Sequence, residues 1–164
     1  MKNKIIFLDR DGVLNKKPQK ATYVTTSTEY TFLPGAIEGL KLLQEKGYEI
    51  FIITNQAGVA RGLVKEEDLL QIHEKILEEC KKVGVLIRKI YYCPHGWDEG
   101  CSCRKPKPGM LLTAAKEYGF DMNNAIFIGD DERDMEAGTM AGCKTLLMES
   151  NGNLFDMITK SNIA

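Results

Sequence analysis

Short, uninterrupted apolar runs constrain this chain more than any other feature. KIIFL (4–8), YEIFIIT (48–54), IRKIYYC (87–93) and AIFIGDD (125–131) are each too brief for a helix. Their apolar residues run on rather than alternating with polar ones, as in strands covered on both faces. Segments of helical period separate them. PGAIEGLKLLQEKG (34–47) spaces Ile37, Leu40, Leu42 and Leu43 like one face of a helix, opens on Pro34 and closes on Gly47. VKEEDLLQIHEKILEECKKVG (64–84) reads as a long amphipathic helix, PGMLLTAAKEYG (108–119) as another, and ERDMEAGTMAG (132–142) as a short one. KTLLME (144–149) predicts a last strand, followed by one helical turn near 154–158. This alternation predicts an α/β fold with a doubly wound, mostly parallel sheet. At 164 residues, with no repeat, low-complexity tract or linker, a single domain over 1–164 is expected.

The charge balance narrows the partners. With 22 basic and 23 acidic residues the net charge is −1, without the basic excess of a nucleic-acid binder. No apolar stretch approaches the ~18 residues of a membrane span. The N-terminal apolar run of MKNKIIFLDRDG is shorter than the roughly 7–15 residues of a signal peptide core. A cytoplasmic monomer acting on a small molecule, with no nucleic-acid or membrane partner, is the expectation.

In open α/β sheets the ligand site lies at the carboxyl ends of the strands. Here those ends are Asp9–Arg10–Asp11, Thr54–Asn55, Cys93 with its loop to Arg104–Lys105, and Gly129–Asp130–Asp131. Residues two apart on extended backbone share a face, so Asp9 and Asp11 can meet one point, with Asp130 and also Asp131 joining them. Carboxylates so crowded need a cation, and an oxygen-only donor set without histidine suits Mg²⁺. Thr54 would add a hydroxyl, Asn55 and Gln56 the groups that follow it, and Arg104 and Lys105 positive charge. The combination matches a phosphoryl group. Arg10 is open between a surface charge and a substrate contact through its backbone N–H. Arg61 is open between a solvated loop charge and a contact to a second phosphate.

CPHGWDEGCSC places Cys93, His95, Cys101 and Cys103 within one loop. Three thiolates and an imidazole fit a closed tetrahedral zinc site, with a disulfide as the alternative. Cys80 and Cys143 sit in helical or apolar surroundings and read as packed thiols.

DRDGVLN (9–15), ITN (53–55), RKPKPG (104–109) and GDDERD (129–134) occur in the order of, and resemble, the four motifs of the haloacid dehalogenase-like (HAD-like) phosphatases. The resemblance implies that Asp9 is a nucleophile forming an aspartyl-phosphate and Asp11 the general acid, then base, protonated at the first step. It implies that Thr54 and Lys105 hold the transferring phosphoryl group, that Asp130 ligates Mg²⁺, and that Asp134 orients the site. Asp11 would reach the metal through its backbone carbonyl rather than its side chain. The cysteine loop with RKPKPGML resembles the zinc-containing subgroup of histidinol-phosphate and heptose-bisphosphate phosphatases, which implies a structural zinc beside Arg104 and Lys105. NQAGVARG (55–62) points to the heptose side, whereas the five residues between His95 and Cys101 resemble the histidinol loop. Asp131 stands where these subgroups often carry a basic residue. Neither 12–33 nor the stretch between Thr54 and Cys93 holds a cap domain, so loops alone are expected to cover the site. A non-catalytic phospholigand-binding scaffold remains the alternative of another class.

Overall fold

The computed structural model describes residues 2–163. These residues form five strands, β1 (Lys4–Leu8), β2 (Tyr48–Asn55), β3 (Ile87–Cys93), β4 (Ala125–Gly129) and β5 (Lys144–Leu147). Their order is β3-β2-β1-β4-β5, and every pair is parallel. Helices α1 (Ala36–Glu45), α2 (Glu66–Lys82), α3 (Gly109–Tyr118), α4 (Glu132–Ala141) and α5 (Leu154–Lys160) complete a doubly wound α/β fold.

The runs do not alternate because both faces of the sheet are covered. Ile6 and Leu8 of β1 and Ile50 and Ile52 of β2 pack with Leu40, Ile72, Ile76 and Ile158 of α1, α2 and α5. Ile5 and Phe7, Phe51 and Ile53 face the other way, onto Met110 and Ala114 of α3 and Ala137 of α4. Phe7, Ile52 and Phe127 are fully buried.

β1 pairs with β2 on one side and β4 on the other, so the order reverses beside it. Leu8 stands opposite Ile128, and the Asp9 N–H donates to the Ile128 carbonyl at 3.1 Å. The acidic ends of β1 and β4 are therefore neighbours at the crevice where such folds bind ligands.

Two stretches differ from the sequence expectation. AIFIGDD ends as a strand at Gly129, because Asp131 is the N-cap of α4. Its side chain accepts from the Arg133 N–H, and Asp134 accepts from the Asp131 N–H in return, closing a capping box. The polar stretch 12–33 is also less irregular than expected. It carries a 3-10 turn (Ser27–Glu29), buries Tyr30, and is tied to α2 by Lys75 Nζ, which donates to the Ser27 and Tyr30 carbonyls. Between β1 and α1, and between β2 and β3, the chain holds no cap domain.

Candidate active site

Asp9 follows the last residue of β1 and is nearly buried. Lys105, on the loop from β3 to α3, reaches it from the side. Its Nζ lies 3.0 Å from Asp9 Oδ1 and 2.6 Å from Asp134 Oδ1, and donates to the Ile53 carbonyl at 3.0 Å. Lys105 is 3% exposed, so neither charge is screened by water. Carboxylate oxygens of Asp9, Asp130 and Asp134 all lie within 4.8 Å of one another.

These oxygens are not equally engaged. Asp134 accepts from the backbone N–H groups of Asp130 and Asp131 and pairs with Lys105. Asp130 Oδ2 accepts from Lys17 Nζ at 2.9 Å and from the Ser150 hydroxyl at 2.7 Å. Asp130 Oδ1 is buried with no hydrogen-bond partner. An orphaned carboxylate oxygen beside a second carboxylate fits a hard divalent cation. Asp9 and Asp130 could hold it, whereas Asp134 is committed to Lys105 and the start of α4.

Asp11 turns away from this group. Its Oδ1 accepts from Arg10 Nε at 3.1 Å, Arg10 Nη2 at 2.9 Å and Asn15 Nδ2 at 2.9 Å, and its Oδ2 accepts from Gln56 Nε2 at 3.0 Å. Gly12 makes the turn possible. Its φ is +89°, and a Cβ there would run into the Asp130 carboxylate.

The two aspartates sit in opposite electrostatic settings. Burial and the charge of Asp134 push the Asp9 carboxyl well above the usual range, with Lys105 opposing them. Burial also opposes ionisation of Asp11, but the Arg10 guanidinium and the donors of Asn15 and Gln56 outweigh it and hold its carboxyl below the usual range. By these settings alone the proton favours Asp9, and the expectation that Asp11 carries it rests on a cation holding Asp9 ionised. The reason is the partner each acid finds: Asp9 faces other carboxylates, Asp11 a buried arginine.

Several site residues fall elsewhere than the sequence suggested. Arg10 is fully buried instead of a surface charge, and its N–H donates to Asp9 Oδ1 at 2.8 Å rather than facing a ligand. Its Nη1 lies 3.1 Å from His73 Nε2. Burial and Arg10 push the His73 pKa down to about 3, so the neutral ring accepts. The Asn55 side chain is occupied by the Lys105 backbone, donating to its carbonyl and accepting from its N–H, both at 3.0 Å. Gln56 Nε2 bridges Thr54 Oγ1 at 2.9 Å and Asp11 Oδ2, so it orients Asp11 instead of facing open space. Asp131 and the Asp11 side chain lie outside the three-carboxylate group, since Asp131 grips Arg133 and its pKa is lowered to about 2 mainly by that pairing. Arg61 is exposed and stacks 5.0 Å from the Trp97 ring centroid, off the cleft. The cleft itself, of about 100 Å³, is lined by Asp9, Asp11, Lys17, Asn55, Lys105, Asp131, Arg133 and Asp134.

Residues 4–145 match the model of the polynucleotide kinase 3 phosphatase family. A D-glycero-alpha-D-manno-heptose-1,7-bisphosphate 7-phosphatase of Campylobacter jejuni is 46% identical over 148 residues, covering 90% of this chain and 83% of its own. A D-glycero-beta-D-manno-heptose-1,7-bisphosphate 7-phosphatase of Bordetella bronchiseptica is 37% identical over 147 residues, covering 90% and 81%. The chain belongs to the HAD-like phosphatases. The crystal structure of the B. bronchiseptica heptose bisphosphate phosphatase, complexed with magnesium and phosphate, superposes on this phosphatase with a TM-score of 0.84 at 35% identity, covering 98% of this chain and 88% of that one.

The phosphatase carries a second group able to hold a metal. Cys93, His95, Cys101 and Cys103 offer ligand atoms within 4.8 Å of one another. The Cys93 and Cys103 sulfurs are 2.9 Å apart, those of Cys93 and Cys101 3.6 Å, and His95 Nδ1 is 3.1 Å from Cys103 Sγ. All five cysteines are free thiols in the structure, with none of the four-residue group joined in a disulfide. The soft, closed donor set fits zinc. Cys80 and Cys143 are buried, as packed thiols should be. No described helix is long and apolar enough to cross a membrane.

Lys17, Arg133 and His73 drew no assignment from sequence. Lys17 lies in a loop and Arg133 on the first turn of a helix, where exposed cations are commonplace. His73 has the helical spacing of an ordinary core-facing residue. Only their neighbours single them out.

Proposed function

We propose that this phosphatase removes the 7-phosphate of D-glycero-D-manno-heptose 1,7-bisphosphate, leaving the 1-phosphate. The observation that carries the chemistry is the convergence of Asp9, Asp130 and Lys105 at the carboxyl ends of β1 and β4, with Asp11 held to their side. The names of the relatives support the substrate.

Asp9 is the nucleophile. Its oxygen attacks phosphorus and the P–O bond to the sugar breaks, giving an aspartyl-phosphate and the alcohol. Lys105 keeps Asp9 aimed and offsets the charge gathering on the phosphoryl oxygens. Thr54 and the Asn55 backbone N–H cradle those oxygens, whereas the Gln56 N–H is taken by the Cys93 carbonyl at 2.8 Å, and Arg104 adds charge at the rim. Asp11 supplies the proton to the leaving oxygen and then takes one from a water that attacks the phosphorus of the aspartyl-phosphate, so that the P–O bond to Asp9 breaks, inorganic phosphate leaves and the Asp9 carboxylate is restored. A phosphate dianion in the cleft raises the proton affinity of Asp11, working against Arg10. Arg10, Asn15 and Gln56 fix its position. A Mg²⁺ ion held by the side chains of Asp9 and Asp130 and the backbone carbonyl of Asp11 would keep Asp9 ionised and neutralise phosphoryl charge. A zinc ion at Cys93, His95, Cys101 and Cys103 would be structural, keeping Arg104 and Lys105 in register. The protein works as one cytoplasmic domain and as a monomer, on a small molecule, without nucleic acid or membrane.

The test is phosphate release with Mg²⁺ from the heptose bisphosphate and from histidinol phosphate, for wild type and Asp9→Asn. A higher kcat/KM on the bisphosphate, abolished in the variant, is expected. A preference for histidinol phosphate would sink the substrate assignment, and equal rates in the two proteins would sink the mechanism.

A further inference from the structure

Beside the catalytic cleft lies a second cavity of about 430 Å³, lined by Lys20, Trp97, Arg104, Lys105, Lys107 and Arg133 among others, without a carboxylate. Lys105 and Arg133 line both the cleft and this cavity. Lys105 is spent on Asp9 and Asp134. Arg133 is therefore the cation at the junction that still has N–H donors open to a ligand, beyond its ion pair with Asp131.

Asp131 decides how Arg133 is presented. Asp131 Oδ1 lies 3.0 Å from Arg133 Nε and Asp131 Oδ2 3.2 Å from Arg133 Nη2, a fork-to-fork grip along one edge of the guanidinium. A guanidinium has five N–H donors, so the grip leaves the Nη1 pair and one Nη2 N–H for something else. Asp131 is itself fixed as the N-cap of α4. Arg104, facing the same cavity, has a buried Nη1 with no partner. Two guanidiniums on one cavity wall, both with unused donors and one of these buried, are repelled by each other and relieved by an anion.

We propose that Arg133, clamped by Asp131, is a specificity-determining residue that receives the second phosphate of a bisphosphate substrate while the first is held at Asp9. This rests on the bisphosphate reading above. It gives Asp131 a role other than metal support: the acid carries no phosphate itself but aims the arginine that does. Lys would not replace Arg133 fully, since a point charge cannot be gripped along one edge and still offer a second fork.

The experiment compares kcat/KM on a sugar bisphosphate and on the matching monophosphate, for wild type, Arg133→Ala, Arg133→Lys and Asp131→Asn. Asn caps a helix as well as Asp does, so the last variant frees Arg133 without unseating α4. A charge-assisted contact of this kind is worth about tenfold to a hundredfold. Arg133→Ala should lower the bisphosphate-to-monophosphate ratio by that factor, through KM for the bisphosphate more than through kcat. Arg133→Lys and Asp131→Asn should fall between it and wild type. An unchanged ratio, or equal losses on both substrates, overturns the role of Arg133. A wild type that itself prefers the monophosphate overturns the bisphosphate reading instead, so the two failures are distinguishable.

Discussion

Replacing Lys105 with Met removes one charge and keeps an unbranched side chain one atom shorter. The Nζ closes two buried ion pairs, to Asp9 at 3.0 Å and to Asp134 at 2.6 Å, and the lysine is 3% exposed. Without it, Asp9, Asp130 and Asp134 crowd within 4.8 Å with Lys17 approaching from the rim. Breaking a buried pair by deleting one partner costs about 3–5 kcal/mol, because the remaining charge is left uncompensated. For a chain of this size each kcal/mol moves the melting temperature by about 2–4 °C, so a drop of about 6–20 °C is expected in metal-free buffer at neutral pH. The sign of the pH effect follows. Asp9 already has a raised folded-state pKa, and losing Lys105 raises it further. The folded variant therefore binds a proton that the unfolded chain releases above about pH 4, and it regains stability as pH falls toward the folded pKa. Circular-dichroism melts of both proteins between pH 8 and pH 5, with and without Mg²⁺, measure this. The deficit should shrink with acid and with Mg²⁺, since either neutralises the same carboxylates. A melting temperature within about 2 °C of wild type at pH 8, or a deficit indifferent to both, would refute the reasoning.

Other outcomes test other parts. Stripping zinc with a strong chelator should lower melting temperature and phosphate release together; activity lost at once with an unchanged melting curve would mean a catalytic ion rather than a structural one. His73 is held neutral, with a folded pKa of about 3. Between pH 6.5 and 3 the unfolded chain binds the extra proton, so stability should fall by up to about 2 kcal/mol from pH 7 to pH 5, a slope that urea titrations should find flattened in His73→Gln. Gly12→Ala forces a side chain onto a left-handed residue and into the Asp130 carboxylate, and should weaken Mg²⁺ binding by calorimetry as well as phosphate release.

Much of the architecture was legible in the sequence because burial on both faces leaves its mark on every strand residue. The runs at 4–8, 48–54 and 87–93 became β1, β2 and β3 with ends shifted by at most a residue. The run at 125–131 overreached because Asp130 and Asp131 sit past the last sheet residue, where a capping box starts α4. Free energy in that turn comes from side-chain-to-backbone bonds, which hydrophobic periodicity does not register.

The sequence by itself determined which polar residues reach the carboxyl edge, since strand ends and motif order are linear properties. It equally placed three cysteines and a histidine in one short loop. Only the tertiary structure decided what each group faces. Asp9 and Asp11 are two residues apart, yet one meets carboxylates and Lys105 while the other meets a buried Arg10 braced by a histidine 63 positions along the chain. Proton affinity, metal access and substrate contact all depend on distances of a few ångströms in a low-dielectric cleft. Those distances are set by the pairing of β1 with β4 and by loops folding back across the edge, which no local spacing in the chain encodes.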